Sequence, residues 1–210
     1  MPRGPRIAAF ASVALLLLAL VTALRPLALP ERHTAAPVLD TVEVGFAQDM
    51  TAHHQQALLM TQRLDPQAAP TVRRIAEQLA GTQRIEIGMM LGWLRLADAS
   101  PLSSRPMTWM TDTAAAHQHS PRQPDALMPG MASTAELDAL AAARGQDAEI
   151  LFLQLMIRHH QGGIAMATAA DRQLADGPVK EAARAMVQSQ GQEVGVMSLL
   201  LTQLGGELLQ

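Results

Sequence analysis

A chain of 210 residues has room for one medium domain and a targeting segment. Aromatics make up 2% of it against 49% hydrophobic residues overall, so the core rests on Leu, Ala, Ile, Val and Met, a composition that favours helices over sheets. A net charge of −3 with no basic tract after the N-terminus excludes a nucleic-acid footprint, and the absence of Cys excludes disulfides and thiolate ligands, leaving 13 Met and 7 His as the soft and borderline metal donors.

Arg3 and Arg6 precede an apolar run from Ile7 to Leu24, and Arg25 ends it. As a helix this run spans roughly 27 Å, close to the hydrocarbon thickness of a bilayer. Positive charge at the N-terminus keeps that end in the cytoplasm. The expectation is a single-pass membrane anchor over residues 1–25 with the rest of the chain outside the cytoplasm. The exit Val-Thr-Ala-Leu-Arg-Pro is a weak cleavage site; a cleaved signal, giving a secreted or periplasmic protein, is the alternative. Pro26, Pro30 and Pro37 make residues 26–39 a stiff linker.

Residues 40–210 contain one pattern twice. EVGFAQDMTAHHQQALLM from Glu43 to Met60 matches EILFLQLMIRHHQGGIAM from Glu149 to Met166 at a constant offset of 106. QRIEIGMM from Gln83 to Met90 matches QGQEVGVM from Gln190 to Met197 at an offset of 107. A slip of one residue between the two segments belongs in a turn, so each copy reads as a helical hairpin. Pro66 and Pro70 break the first copy, and Asp176-Gly177-Pro178 breaks the second, with Pro178 suited to a first helical position. Helices are expected at about 40–64, 71–97, 146–174 and 178–205, giving hairpins over about 40–97 and 146–205. Residues 98–133 form the crossover, and Ser133 with Glu136 forms a capping box for a short helix that ends near Gly145. The fold class is all-α: two repeated hairpins packed as a ferritin-like four-helix bundle, each burying the stripe it cannot hide alone.

At about 100° per residue, Glu43, Phe46, Met50, His53, His54, Ala57 and Met60 fall within an arc of about 120°. The second copy repeats these angles with Gly163 in place of Ala57. A stripe that contains Phe and Met faces the core, and the His pair lies within it. Gln83, Glu86 and Met90 share one face of the partner helix, as do Gln190, Glu193 and Met197. Small residues at Ala57, Gly163, Gly88 and Gly195 allow close helix approach or room for a ligand.

Burying imidazole without partners costs on the order of 1–3 kcal/mol per group. A metal ion is one reason to do so twice. Imidazole suits several transition metals, whereas thioether selects soft ions, so the pairing points to copper(I), with silver(I) the alternative. The expected ligands are His53, His54, His159 and His160 with Met50, Met60, Met156 and Met166. Glu43, Glu86, Glu149, Glu193, Gln83, Gln190, Met90 and Met197 are the candidate supporting residues around them. The carboxylates and amides could equally satisfy the histidines in a metal-free polar core. The crossover adds Met107, Met110, His117, His119, Met128 and Met131, either as a capture segment or as a solvated loop. Trp109 stands too isolated to interpret.

Repeated MxxHH, the QxxExxxM segments and the Met128-Pro-Gly-Met131 run together resemble the domain-of-unknown-function 305 family, over roughly residues 40–205. The resemblance implies an exported ferritin-like bundle, with some members copper-binding. Family members commonly carry Asp where this chain has Glu43 and Glu149, and Gly-Ala where it has Gly162-Gly163.

The function expected is therefore an extracytoplasmic metal-binding protein that buffers, transfers or resists copper. Its partners are the metal ion and, through the N-terminal helix, the membrane; the sequence names no protein partner. No catalytic constellation is visible. A structural or interaction module without metal is the alternative. A di-iron carboxylate oxidase is a weaker one, because Met89 and Val196 stand where its Glu-x-x-His pairs need histidine.

Overall fold

The computed structural model describes residues 37–110 and 128–209. Residues 1–25, most of the Pro-rich linker, His117 and His119 lie outside the described residues. The described residues of the compact unit Val38–Gln210 form five helices: α1 (Thr41–Arg63), α2 (Pro70–Leu96), α3 (Thr134–Ala142), α4 (Gly145–Gln173) and α5 (Pro178–Gln203). No strand occurs among the described residues. The four long helices agree with the expected spans to within two residues.

Each start and stop has a local cause. Asp40 caps α1 by accepting from the Val42 and Glu43 amides, and Glu43 returns the bond to the Asp40 amide at 2.7 Å. α2 and α5 each open on proline, which lacks an N–H that would go unbonded there. α3 opens on the Ser133–Glu136 capping box expected from the sequence. Asp65 in the α1–α2 turn accepts from the Gln67 amide at 3.0 Å and from the Gly145 amide at 2.8 Å. The Glu149 carboxylate accepts from the Ala69 amide at 2.7 Å, so this turn is fastened to the first residues of α4.

α1 packs on α2, α4 on α5, and the hairpins meet through α1 and α4. Two apolar clusters form the core. One contains Met60, Leu79, Phe152, Met156 and Met197; the other contains Phe46, Met50, Met90, Met166 and Met186. The first half of α1 thus shares a cluster with the second half of α4, and the reverse holds for the other cluster, so the two helices run antiparallel. The 106-residue offset carries Phe46 and Met50 onto Phe152 and Met156, and Met60 onto Met166. Each correspondence exchanges the clusters, which defines an approximate two-fold axis between the hairpins. Fully burying a Met or Phe contributes about 1.5–3 kcal/mol, so these paired residues hold the bundle together.

Candidate metal centre

The histidines occupy the boundary between the two clusters. His53 and His54 follow Met50 and precede Ala57 and Met60 on α1; His159 and His160 follow Met156 and precede Met166 on α4. All four are at most 1% exposed. The rings of His53 and His159 stack across the two-fold axis with centroids 3.7 Å apart and planes at 30°. His54 lies 6.4 Å from His53, and His160 lies 6.2 Å from His159, so the four rings form one array through the bundle.

Every Nε2 faces a group that can only accept. His54 Nε2 donates to the Glu86 carboxylate at 2.6 Å, and His160 Nε2 donates to Glu193 at 2.9 Å. His53 Nε2 donates to the Pro129 carbonyl at 3.0 Å, and His159 Nε2 donates to the His53 carbonyl at 2.9 Å. A carbonyl or carboxylate partner fixes the neutral ring as the Nε2–H tautomer. The lone pair then sits on Nδ1. All four Nδ1 atoms are buried and have no hydrogen-bond partner among the described residues. Gln83 Oε1 and Gln190 Nε2 are orphaned in the same way.

Burial holds His53 and His159 neutral. It pushes the His53 pKa down to about 3, aided by the neighbouring His54 and opposed by the bond to Pro129. Burial lowers His159 well below the ordinary value, and His53, His160 and His54 act in the same direction. Two stacked imidazoles at this separation can both serve as Lewis bases because neither carries a proton on Nδ1.

The methionines flank this layer. Met50, Met60, Met90, Met156, Met166 and Met197 are each 0% exposed. Along the helix axis Met50 and Met156 stand one turn from the first histidine of their pair, whereas Met60 and Met166 stand about two turns away. Glu86 and Glu193 reach His54 and His160. Glu43 and Glu149 do not: Glu43 caps α1 and Glu149 fastens the α1–α2 turn. Two of the four carboxylates that a di-iron site would use are therefore spent elsewhere. Among the described residues, no three His, Asp or Glu converge as a preformed metal cage. Gly163 abuts the Gln190 amide, where a Cβ would stand 2.4 Å from Oε1, but Gly88 and Gly195 are exposed with open space beside them and bring no helices together.

Two supporting residues escaped the sequence reading. Asp49 is buried and accepts from the Met107 amide at 2.6 Å and from Trp109 Nε1 at 2.8 Å; burial raises its pKa against these bonds. Trp109 in turn packs edge-on against Phe46 at 5.6 Å, over Gly45. The available signal was a break in the repeat, since Leu155 occupies the matching place in the second copy. Gln56 is the other: its amide exchanges two hydrogen bonds with the Ala132 backbone.

Fold and site together define a duplicated helical hairpin protein with a shared histidine layer. The family model described as Domain of unknown function (DUF305) matches residues 43–201, and the chain belongs to that family. Among solved structures it is similar to a DUF305 protein from Streptomyces coelicolor, named as an inferred secreted protein, at 38% identity and a TM-score of 0.71, covering 80% of this chain and 96% of that one. It is also similar to a DUF305 fragment from Deinococcus radiodurans at 33% identity and a TM-score of 0.62, covering 78% of this chain and 97% of that one. No curated protein matches.

Proposed function

We propose that this protein binds Cu(I) or Ag(I) in the histidine layer and acts outside the cytoplasm in metal buffering, transfer or resistance. The observation that supports this most is the set of four buried Nδ1 lone pairs, each aimed by an Nε2–H committed to an acceptor. An unsatisfied buried acceptor costs about 1–3 kcal/mol, and a bound ion would remove that cost. The candidate donors are the four imidazoles and, one helical turn away in sequence, the thioethers of Met50 and Met156, with Met60 and Met166 about two turns away. A soft monovalent ion suits such a set better than a hard or divalent one. Glu86 and Glu193 would hold the imidazole tautomers and balance the ion's charge.

Among the described residues no helix is long and apolar enough to cross a membrane, so the anchored form rests on Arg3, Arg6 and the apolar run after them. The secreted name of the Streptomyces relative supports an extracytoplasmic site of action. Two hairpins joined by a long connection support the ferritin-like reading of the bundle.

The test is titration of the purified chain with Ag(I) or Cu(I) against a competing chelator, alongside a variant with all four histidines replaced by Gln. The wild type should bind and its unfolding midpoint should rise, because a ligand of the native state stabilises it. Equal affinity and stoichiometry in the variant would remove the histidines from the site. A midpoint indifferent to either ion would favour a metal-free structural core.

A further inference from the structure

The segment Met128–Ala132 lies against the histidine layer and is anchored on both central helices. The Pro129 carbonyl accepts from His53. The Pro129–Gly130 peptide is sunk into α4: a Cβ on Gly162 would stand 1.9 Å from the Pro129 oxygen. A Cβ on Gly130, whose φ is +77°, would stand 2.4 Å from the Arg158 carbonyl. On the α1 side, Gln56 Nε2 donates to the Ala132 carbonyl at 2.8 Å, and the Ala132 amide donates to Gln56 Oε1 at 2.7 Å. Just beyond, Glu136 accepts from both terminal nitrogens of Arg158 at 2.7 and 2.8 Å.

Among the described residues this is the one non-helical segment hydrogen-bonded to a histidine of the layer; the other three rings bond to groups on helices. The strap is held by three neutral hydrogen bonds and by the packing of Ala132 and Met128 at the edges of the two clusters, whereas separating α1 from α4 would open both clusters throughout. It also carries half-buried Met128 and Met131 on either side of the peptide that covers His53.

We propose that Met128–Ala132 is a thioether-bearing gate whose lifting admits a soft metal ion to His53 and His159. The gate rests on the metal reading above and adds the route and its control. Lifting frees the His53 Nε2–H from Pro129, exposes the stacked pair, and presents the two strap thioethers to the incoming ion. Reclosure returns the carbonyl to His53 and shuts the ion in.

Two variants outside the ligand set test this in the full chain. Gln56→Ala removes both bonds from α1, and Gly162→Ala forces the Pro129–Gly130 peptide off α4. Stopped-flow uptake of Ag(I) is measured, together with modification of His53 by diethylpyrocarbonate in metal-free protein, read by mass spectrometry. Losing two neutral hydrogen bonds should speed both processes on the order of tenfold, with the stoichiometry of Ag(I) unchanged. Unchanged rates of both processes in both variants would overturn the gate and place entry on the Glu86 and Glu193 side. If the wild type takes up no Ag(I) while both variants expose His53 to the reagent, the metal function falls and the gate over the imidazoles stands.

Discussion

Lowering the pH should destabilise the metal-free protein through its stacked histidines. In the unfolded chain His53 titrates near 6.5, whereas burial pushes it down to about 3 in the fold. Between these values the unfolded state binds a proton that the folded state does not, so stability is full above pH 6.5 and falls as pH drops toward 3. Each pH unit in that window removes about 1.4 kcal/mol per such group. From pH 6.5, where the unfolded imidazole is already half protonated, to pH 4.5, His53 alone therefore removes about 2 kcal/mol. His159 is shifted in the same direction and adds to the loss. Asp49, whose carboxyl is raised by burial, acts with the opposite sign and offsets part of it. Glu136, lowered to about 2 by its pair with Arg158, keeps its contribution until the pH falls below 4.5. Urea unfolding at pH 6.5 and 4.5, with a chelator present, measures the sum. A His53→Gln/His159→Gln variant should show a much flatter dependence. A wild-type loss below about 1 kcal/mol would show that the two imidazoles are not held neutral in the fold. A full loss retained in the variant would assign the proton uptake to other groups.

Replacing Met90, which is fully buried in the cluster around Phe46, by Ala should lower unfolding free energy by about 2–5 kcal/mol in a denaturant titration, with helicity retained. Asp49→Leu takes the acceptor from the buried Trp109 indole and should cost about 1–3 kcal/mol with a change in tryptophan fluorescence. Asp49→Asn keeps an acceptor oxygen, so it should cost clearly less; equal losses from the two variants would contradict that account.

The hairpins, their turns and the Ser133 cap were legible because each depends on local chemistry: proline placement, a capping pair, an apolar stripe repeated at a fixed offset. The partnership of His54 with Glu86 and of His160 with Glu193 was legible because the stripe on one helix and the Gln-Glu-Met face on its mate must meet in any hairpin. Glu43 and Glu149 misled because a helical wheel gives angle but not height. Each lies ten residues before the first histidine of its copy, roughly 15 Å along the axis, at the end of the bundle where it binds backbone amides instead. The stacking of His53 on His159 and the seat of Pro129 were not legible, since both depend on how two hairpins cross. Gly162 was noticed only as a departure from a family pattern; that a carbonyl rests against its bare Cα depends on the crossover's path.

One position shows what duplication made available. Residue 56 of the first copy corresponds to residue 162 of the second. In the first it is Gln, whose amide grips the Ala132 backbone; in the second it is Gly, whose missing side chain leaves a socket for the Pro129 carbonyl. A pair of identical hairpins would offer two grips or two sockets to a single crossing segment. Two copies on one chain could diverge at that place and still keep the histidines matched, so a paired array of rings carries a one-sided cover.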